Sequence, residues 1–174
     1  GMSSILSPEA SEPIILTIPP SENPSLAITP DSQRLIIGCE DTYLWDLTNL
    51  NQASTPTVLP SQSLVNTIAV SPDNHWLAVG NQDSTIQVWN LTNLENQPAI
   101  LPSPNGAITT LAISSDSRWL AGGSADHVVY LWNLATLDAE PLVLHGHDDV
   151  ITTLAISPDN RWLATGSADD SARL

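Results

Sequence analysis

Histidines and paired carboxylates are the residues of this 174-residue chain whose chemistry most readily suggests a function. His145 and His147 flank a glycine and are followed directly by Asp148 and Asp149. Imidazole nitrogens and carboxylate oxygens are suitable ligands for a zinc ion. No two histidines stand four residues apart, however, so the paired histidines of a helical zinc motif are absent. A zinc site in this stretch is therefore one hypothesis, and a structural role for the histidines is the other.

Motifs for covalent or phosphate chemistry are missing from the sequence. There is no Gly-X-Ser-X-Gly motif, no phosphate-binding glycine loop, and no lysine to serve one. Cys39 is the single cysteine, so neither an intramolecular disulfide nor a cysteine-based metal cluster can form. We therefore expect that the chain is not an enzyme and carries no cofactor.

The charge of the chain is strongly acidic. The formal net charge is −15, and the only basic side chains other than histidine are those of Arg34, Arg118, Arg161 and Arg173. Such a field repels nucleic acid and anionic membranes and favours basic partners. The alternative is that the acidic residues only keep the protein soluble.

We expect no secretory signal in the N-terminal residues of this sequence. Residues 1–4 (Gly-Met-Ser-Ser) have neither a positive region nor a long apolar run, and Gly1 before Met2 is typical of an expression scar. No stretch of the sequence approaches the length of a membrane span. We expect a cytoplasmic protein with residues 1–12 as a tail and residues 13–174 as the folded segment.

A repeat of about 43 residues organises the rest of the chain. Tryptophans that close short apolar runs recur at intervals of 44 and 43 residues, at Trp45, Trp89 and Trp132. Aspartates in a preceding turn recur at intervals of 42, 43 and 43 residues, at Asp31, Asp73, Asp116 and Asp159. A period of this length indicates one supersecondary unit that stacks on its neighbours. The units cover about residues 25–47, 65–91, 108–134 and 151–174, and the last is incomplete.

Each unit predicts four short β-strands in meander order. A β-branched run is followed by an Asp turn, a second strand, a tight turn and a third strand that is apolar on nearly every residue. Pro-bounded short strands lie between the units, at Pro56–Leu59, Pro98–Leu101 and Pro141–Leu144. Four antiparallel strands in a unit of this length are typical of a propeller blade. The predicted fold is therefore an all-β β-propeller of four-stranded antiparallel blades, with about four blades per chain.

The motifs of these units resemble those of the WD-repeat family. The pieces that carry the resemblance are Trp45-Asp46, Trp89-Asn90, Trp132-Asn133 and His145-Gly146-His147. The unit Ser-Pro-Asp-Asn-Arg-Trp-Leu-Ala is similar to those of bacterial WD-repeat proteins with many blades. The resemblance covers about residues 13–174 and implies a non-catalytic scaffold that binds proteins or peptides.

The family ties each blade together with hydrogen bonds among a His, a Ser or Thr, an Asp and a Trp. The resemblance implies these structural roles for His147, Thr165 and Asp169 in the fourth unit, and for Trp45, Trp89 and Trp132 in the others. In the first three units the His position holds Pro19, Ser61 and Pro104, and the Ser/Thr position holds Ile37, Val79 and Gly122. No unit has the whole network, so we expect the first three blades to depend on apolar packing. Because His147 has this structural role, we predict no metal site.

An acidic face is expected at one end of the blades. The turn between the second and third strands and the loop that enters the first strand lie at the same end of a four-stranded meander. By resemblance to the family this end receives partner peptides, so we expect it to bind a basic segment. The residues predicted for this partner-binding face are Glu40, Asp41, Asp83, Asp126, His127, Asp148, Asp149, Asp169 and Asp170.

Two further functions stay open beside the interaction scaffold. One is a regulatory or sensor segment of a larger signalling protein. The other is a propeller hydrolase, which would need titratable side chains on the innermost strands, where the sequence offers mainly Ala, Ile, Thr and Ser.

The order of the strands also suggests an assembly. Each Pro-bounded strand would complete the preceding blade, whereas residues 13–18 precede the first unit and the fourth unit has no such strand. In a homodimer, residues 13–18 of each chain would complete the other chain's fourth blade and form an eight-bladed ring. The alternative is that the chain is a fragment of a longer propeller.

Overall fold

The computed structural model describes residues 12–102 and 105–174, and all the regular structure in these ranges is β-strand. Four antiparallel sheets follow one another along the chain, three with four strands and the last with three. Each sheet is a meander in which sequence neighbours are also hydrogen-bonded neighbours. This arrangement confirms the predicted all-β propeller of about four blades.

The first two blades take up the N-terminal half of the described chain. Blade 1 consists of β1 (Ser25–Ile28), β2 (Arg34–Gly38), β3 (Thr42–Asp46) and β4 (Thr57–Leu59). Blade 2 consists of β5 (Val65–Val70), β6 (Trp76–Asn81), β7 (Thr85–Asn90) and β8 (Ala99–Pro102). The fourth strand of each blade is therefore the Pro-bounded strand that follows its unit in sequence.

Blades 3 and 4 repeat this plan, but blade 4 has three strands. Blade 3 consists of β9 (Ile108–Ile113), β10 (Trp119–Ser124), β11 (Val129–Asn133) and β12 (Leu142–Leu144). Blade 4 consists of β13 (Ile151–Ile156), β14 (Leu163–Ser167) and β15 (Ala172–Arg173). Among the described residues, no strand pairs with the outer edge of β15.

The Asp turn between the first and second strands is closed by side chains. In blade 2 the Ser71 hydroxyl donates to Asp73 Oδ1 at 2.5 Å and accepts from the Trp76 backbone N–H at 2.8 Å. The equivalent hydrogen bond from Ser114 in blade 3 is the main reason why the pKa of the Asp116 carboxyl lies below its usual value. The residue after each Asp adopts a left-handed φ of 58–60°, at Ser32, Asn74, Ser117 and Asn160. These turns explain why the Asp keeps the period of the repeat.

The hydrophobic core lies between blades rather than within one blade. Ile36, Leu44 and Leu59 of blade 1 pack against residues of blade 2 that include Leu77 and Trp89. The corresponding residues of blade 2 pack in the same way against blade 3. Each blade therefore needs a neighbour to bury its apolar face, as in other repeat proteins.

A glycine at the end of the second strand lets the next blade approach closely. A Cβ on Gly80 would lie 2.6 Å from Ile108 Cγ2 of blade 3, and one on Gly123 would lie 2.5 Å from Ile151 Cγ2 of blade 4. The innermost strands contact one another in succession, β1 with β5, β5 with β9 and β9 with β13. The four blades thus follow each other around a common axis.

Candidate interaction face

The turns between second and third strands and the loops that enter the first strands are joined by backbone hydrogen bonds. The N–H of Gln82 donates to Leu64 O, and the N–H of Ala168 donates to Val150 O, each at 2.9 Å. The N–H of Ala125 donates to Ala107 O in the same way. The two kinds of loop therefore lie at the same end of their blades, and the predicted acidic residues lie on these loops.

Some of the predicted carboxylates are occupied by hydrogen bonds within the chain. Asp41 Oδ1 accepts from the Ser61 N–H at 2.7 Å, so this half-buried carboxylate fixes the loop that leads into β5. Asp126, also half-buried, accepts from the Tyr130 hydroxyl at 2.7 Å. These carboxylates contribute charge to the face, but their first contacts are structural.

Asp169 belongs to a hydrogen-bond network with His147 and Thr165. His147 Nδ1 lies 2.8 Å from Asp169 Oδ2, and its Nε2 lies 2.9 Å from Thr165 Oγ1. The His147 side chain is 4% exposed. The Ser171 hydroxyl is the main cause of the lowered pKa of the Asp169 carboxyl; the Asp148 N–H and His147 lower it further. The network ties together the loop before β13, the strand β14 and the turn that follows it.

The order Thr–His–Asp in this network matches the hydrogen bonds of a catalytic triad. The position of Thr165 argues for a structural role. Its counterparts in blades 1 and 2 are Ile37 and Val79, which are 5% and 0% exposed. The threonine thus occupies a site that apolar side chains fill elsewhere in the same molecule, so we interpret it as part of the blade's packing.

The indoles of the first two blades lack the partners that this network would supply. Trp45 Nε1 and Trp89 Nε1 are buried without a hydrogen-bond partner among the described residues. Ile37 and Val79 share the sheet face of these indoles and offer no hydroxyl. Blades 1 and 2 therefore rest on apolar packing, and each leaves the buried indole donor unsatisfied.

The remaining predicted side chains face the solvent, although Asp83 Oδ1 accepts hydrogen bonds from Thr85 and Asp149 Oδ1 accepts one from the Val150 N–H. Six of them are exposed, namely Glu40, Asp83, His127, Asp148, Asp149 and Asp170. Three of the tight turns hold a residue at left-handed φ, with values of 74°, 72° and 63° at Ser84, His127 and Asp170. We call the surface formed by these six exposed residues the acidic face. Its members come from all four blades.

The arginines are distributed unevenly between the two ends of the blades. Arg34, Arg118 and Arg161 follow the Asp turns at the end opposite the acidic face, and Arg34 Nη1 donates to Leu91 O of blade 2 at 3.0 Å. Arg173 lies on the outermost strand of blade 4, next to Gly146. Three of the four arginines are therefore remote from the acidic face.

The histidines and carboxylates considered for zinc do not converge. His145, Asp148 and Asp149 are exposed, whereas His147 is held by Asp169 and Thr165. Within residues 12–102 and 105–174, no group of three or more His, Cys, Asp and Glu side chains has the arrangement of a metal site. No helix in the same ranges could cross a bilayer.

Contacts between the Asp turns of neighbouring blades were not predicted. The Asp31 N–H donates to Asn74 Oδ1 at 3.0 Å, and the Asp73 N–H donates to Ser117 Oγ at 3.1 Å. The Ser115 N–H donates to Asn160 Oδ1 at 3.0 Å. The sequence does contain a signal for these contacts. A short polar residue, Ser or Asn, directly follows each Asp and therefore recurs with the period of the repeat. We call this series of contacts the turn row.

The fold defines a β-propeller segment with exposed acidic residues on the loops at one end. The family model described as WD domain, G-beta repeat, matches residues 54–90, 96–133 and 140–174, which is more than half of the chain. The chain therefore belongs to the WD-repeat family. A search of curated proteins gave no significant match. Each matched repeat contains the outermost strand of one blade and the first three strands of the next.

Proposed function

We propose that the acidic face binds a Lys- and Arg-rich segment of a partner protein. WD repeats generally mediate protein–protein interaction, so a role as an interaction scaffold follows from the family. The observation that supports the finer proposal is the placement of the arginines. Exposed carboxylates of blades 1, 2 and 4 lie at the end that Arg34, Arg118 and Arg161 do not reach, whereas the exposed aspartates of the opposite end have these arginines among them.

The physical basis of the proposed recognition is electrostatic complementarity. The net charge of −15 raises the local concentration of a cationic segment, and the location of Arg34, Arg118 and Arg161 at the opposite end favours its approach to the acidic face. Exposed charge pairs contribute little individually and are screened by salt. We therefore expect binding of moderate affinity that weakens as ionic strength rises.

The test compares a cationic and an anionic peptide of equal length by fluorescence anisotropy across a salt series. We expect the cationic peptide to bind and its dissociation constant to rise with salt. Equal affinity for both peptides, or an affinity that salt leaves unchanged, would contradict the proposal.

A matched pair of variants locates the site. Glu40→Gln with Asp148→Asn and Asp170→Asn removes three charges from the acidic face. Glu95→Gln with Asp138→Asn and Glu140→Gln removes three exposed charges from the loops at the opposite end. We expect the first variant to weaken binding of the cationic peptide several-fold more than the second. Equal weakening would show that only net charge matters.

The alternatives to the scaffold stay predictions. A regulatory role within a larger protein, a hydrolase activity, a cytoplasmic location and a bacterial source have no support in the described contacts beyond the sequence patterns that suggested them.

A further inference from the structure

Within the part of the chain that the structure describes, blade 4 lacks an outermost strand, and an exposed apolar segment that belongs to no strand precedes blade 1. The edge of β15 has no partner strand among the described residues. Residues 13–18 belong to no strand, and within them Ile14 and Ile15 are 43% and 75% exposed. An unpaired edge and an exposed apolar segment are each unfavourable in water.

The segment before blade 1 has the sequence of an outermost strand. Residues 12–16 read Glu-Pro-Ile-Ile-Leu, and residues 140–144, which contain β12, read Glu-Pro-Leu-Val-Leu. Leu16 stands ten residues before Leu26 of β1, just as Leu144 stands ten residues before Leu154 of β13. In blades 2 and 3 such a strand completes one blade and then leads into the next. Residues 13–18 thus have the spacing needed to complete a blade that precedes blade 1.

The leading side of blade 1 is apolar and uncovered. Leu26 is 63% exposed, whereas Ile68 and Leu111, at the same position in blades 2 and 3, are each 9% exposed because the preceding blade covers them. Ile28 on the same strand is 61% exposed. Blade 1 therefore presents the surface that packs against a preceding blade elsewhere in this molecule.

Blade 4 is uncovered on the side where an outermost strand would lie. A cavity of about 690 Å³ lies beside Leu144, Thr165 and Leu174, and Leu174 is 85% exposed. In blade 2 a cavity of about 320 Å³ lies beside Gln87 and Trp89 of the third strand, and Ile100 of the outermost strand β8 lines it. An outermost strand on blade 4 would place an apolar side chain here as Ile100 does in blade 2.

We propose that two copies of this chain form a closed eight-bladed ring in which residues 13–18 of each copy add the outermost strand to blade 4 of the other. The register follows from the complete blades. Val58 pairs with Tyr43, and Val143 pairs with Tyr130. The equivalent pair across the junction joins Ile15 of one copy to Arg173 of the second.

The turn row supports the same junction. At the ends of the row lie Ser32 in blade 1 and Asp159 in blade 4. Within the chain, the hydroxyl of Ser117, which is equivalent to Ser32, accepts the backbone N–H of Asp73, which is equivalent to Asp159. In the ring, Ser32 of one copy accepts the N–H of Asp159 of the other. Eight blades fall within the usual range of propellers, and the two-fold symmetry closes the assembly.

The first test is the mass of the full chain in solution, measured by light scattering. We expect a species of twice the 18.6 kDa of one chain. Leu26→Asp removes apolar contact at the junction and should leave only single chains at the same concentration. Leu64→Asp is the control, because Leu64 is 58% exposed and lies outside the junction. A single-chain parent protein, or an open series of larger species, would overturn the proposal.

The second test fixes the register by disulfide formation between copies. One chain carries Ile15→Cys and the other carries Arg173→Cys, and the two are mixed and oxidised. Directly paired residues on antiparallel strands are close enough for a disulfide, so we expect a covalent pair on a non-reducing gel. In the control, Val58→Cys replaces Ile15→Cys, because Val58 holds the same strand position within blade 1. Cross-linking equal to this control would contradict strand addition even if the protein is a dimer.

Discussion

The side-chain oxygen of Asn74 accepts a hydrogen bond at 3.0 Å from the backbone N–H of Asp31, 43 residues earlier in the chain. The contact joins the Asp turn of blade 2 to that of blade 1. Asn74 itself has a φ of 60°, a conformation that asparagine tolerates better than most residues. The backbone of Asn74 therefore forms part of its own turn, while its side chain holds the neighbouring blade.

Substitution of Asn74 separates these two contributions. Asn74→Ala loses the acceptor and strains the left-handed backbone, and we expect it to lower the free energy of unfolding by about 1–3 kcal/mol. Asn74→Gly loses the acceptor alone and should cost less. Urea denaturation measures both. If alanine and glycine destabilise equally, the backbone conformation contributes nothing measurable.

A hydroxyl supplied to the indole of Trp89 should stabilise blade 2. Trp89 Nε1 is buried without a partner, and Val79 shares its sheet face. Val79→Thr changes the shape little and offers an acceptor, so we expect a gain of about 1 kcal/mol in unfolding free energy.

Val88→Thr is the matched control for this substitution. Val88 is 2% exposed and lies in the apolar core between blades 2 and 3. The same change there buries a hydroxyl among apolar side chains and should cost about 1–3 kcal/mol. A loss of stability in both variants would show that threonine at position 79 does not reach the indole.

The hydrogen-bond network of His147, Thr165 and Asp169 in blade 4 should make the free energy of unfolding depend on pH below about pH 4. The Ser171 hydroxyl, the Asp148 N–H and His147 hold the pKa of Asp169 below its usual value. The folded protein therefore releases this proton more readily than the unfolded chain, whose aspartate pKa is about 3.9. The stabilising contribution is present above about pH 4 and is lost as the pH falls further towards the folded pKa.

Asp169→Asn tests this dependence. We expect its melting temperature to lie below that of the parent at pH 7 and the difference to narrow as the pH is lowered below 4. Asp170→Asn removes the same charge from an exposed neighbour and serves as the control. A difference that stays constant down to pH 3 would contradict an ionised Asp169 in the folded network.

A methyl group on Gly80 should force blades 2 and 3 apart. The added Cβ would lie 2.6 Å from Ile108 Cγ2 of blade 3 and 2.8 Å from Thr67 Cγ2 of its own blade. Overpacking of this kind costs about 1–3 kcal/mol. Gly122→Ala is the comparison, since its Cβ would come no closer than 3.2 Å to a neighbour, at Trp132 Cζ3 of its own blade. Thermal unfolding should show the larger loss for Gly80→Ala, and equal losses would mean that the blades move apart freely.

The periodic residues predicted the blades because they recur for local reasons. Each Asp closes a turn with a hydroxyl two residues before it, as between Ser71 and Asp73, and each Trp lies near the end of the third strand of its own blade, as Trp89 does in β7. Such causes act within one unit and can be recognised in the sequence. The order of strands in the blades and the family were predicted on this basis.

The contacts between blades could not be predicted in the same way. The bond from Asp31 to Asn74 depends on how one blade is rotated against the next, which no single unit determines. The sequence likewise does not distinguish the exposed carboxylate of Asp148 from that of Asp41, which is half-buried and bonded to the Ser61 N–H. For this reason the composition of the acidic face could be assigned only from the structure, and its partner stays a proposal.

The sequence repeat and the structural blade are offset by one strand, and this offset determines how the number of blades can change in evolution. A repeat such as residues 96–133 supplies the outermost strand of one blade and three strands of the next. Duplication of one repeat in the gene would therefore insert a complete blade and create one more junction of the existing kind. Removal of a repeat would rejoin the flanking blades through equivalent contacts. Blade number can change in this way without any new interface having to evolve.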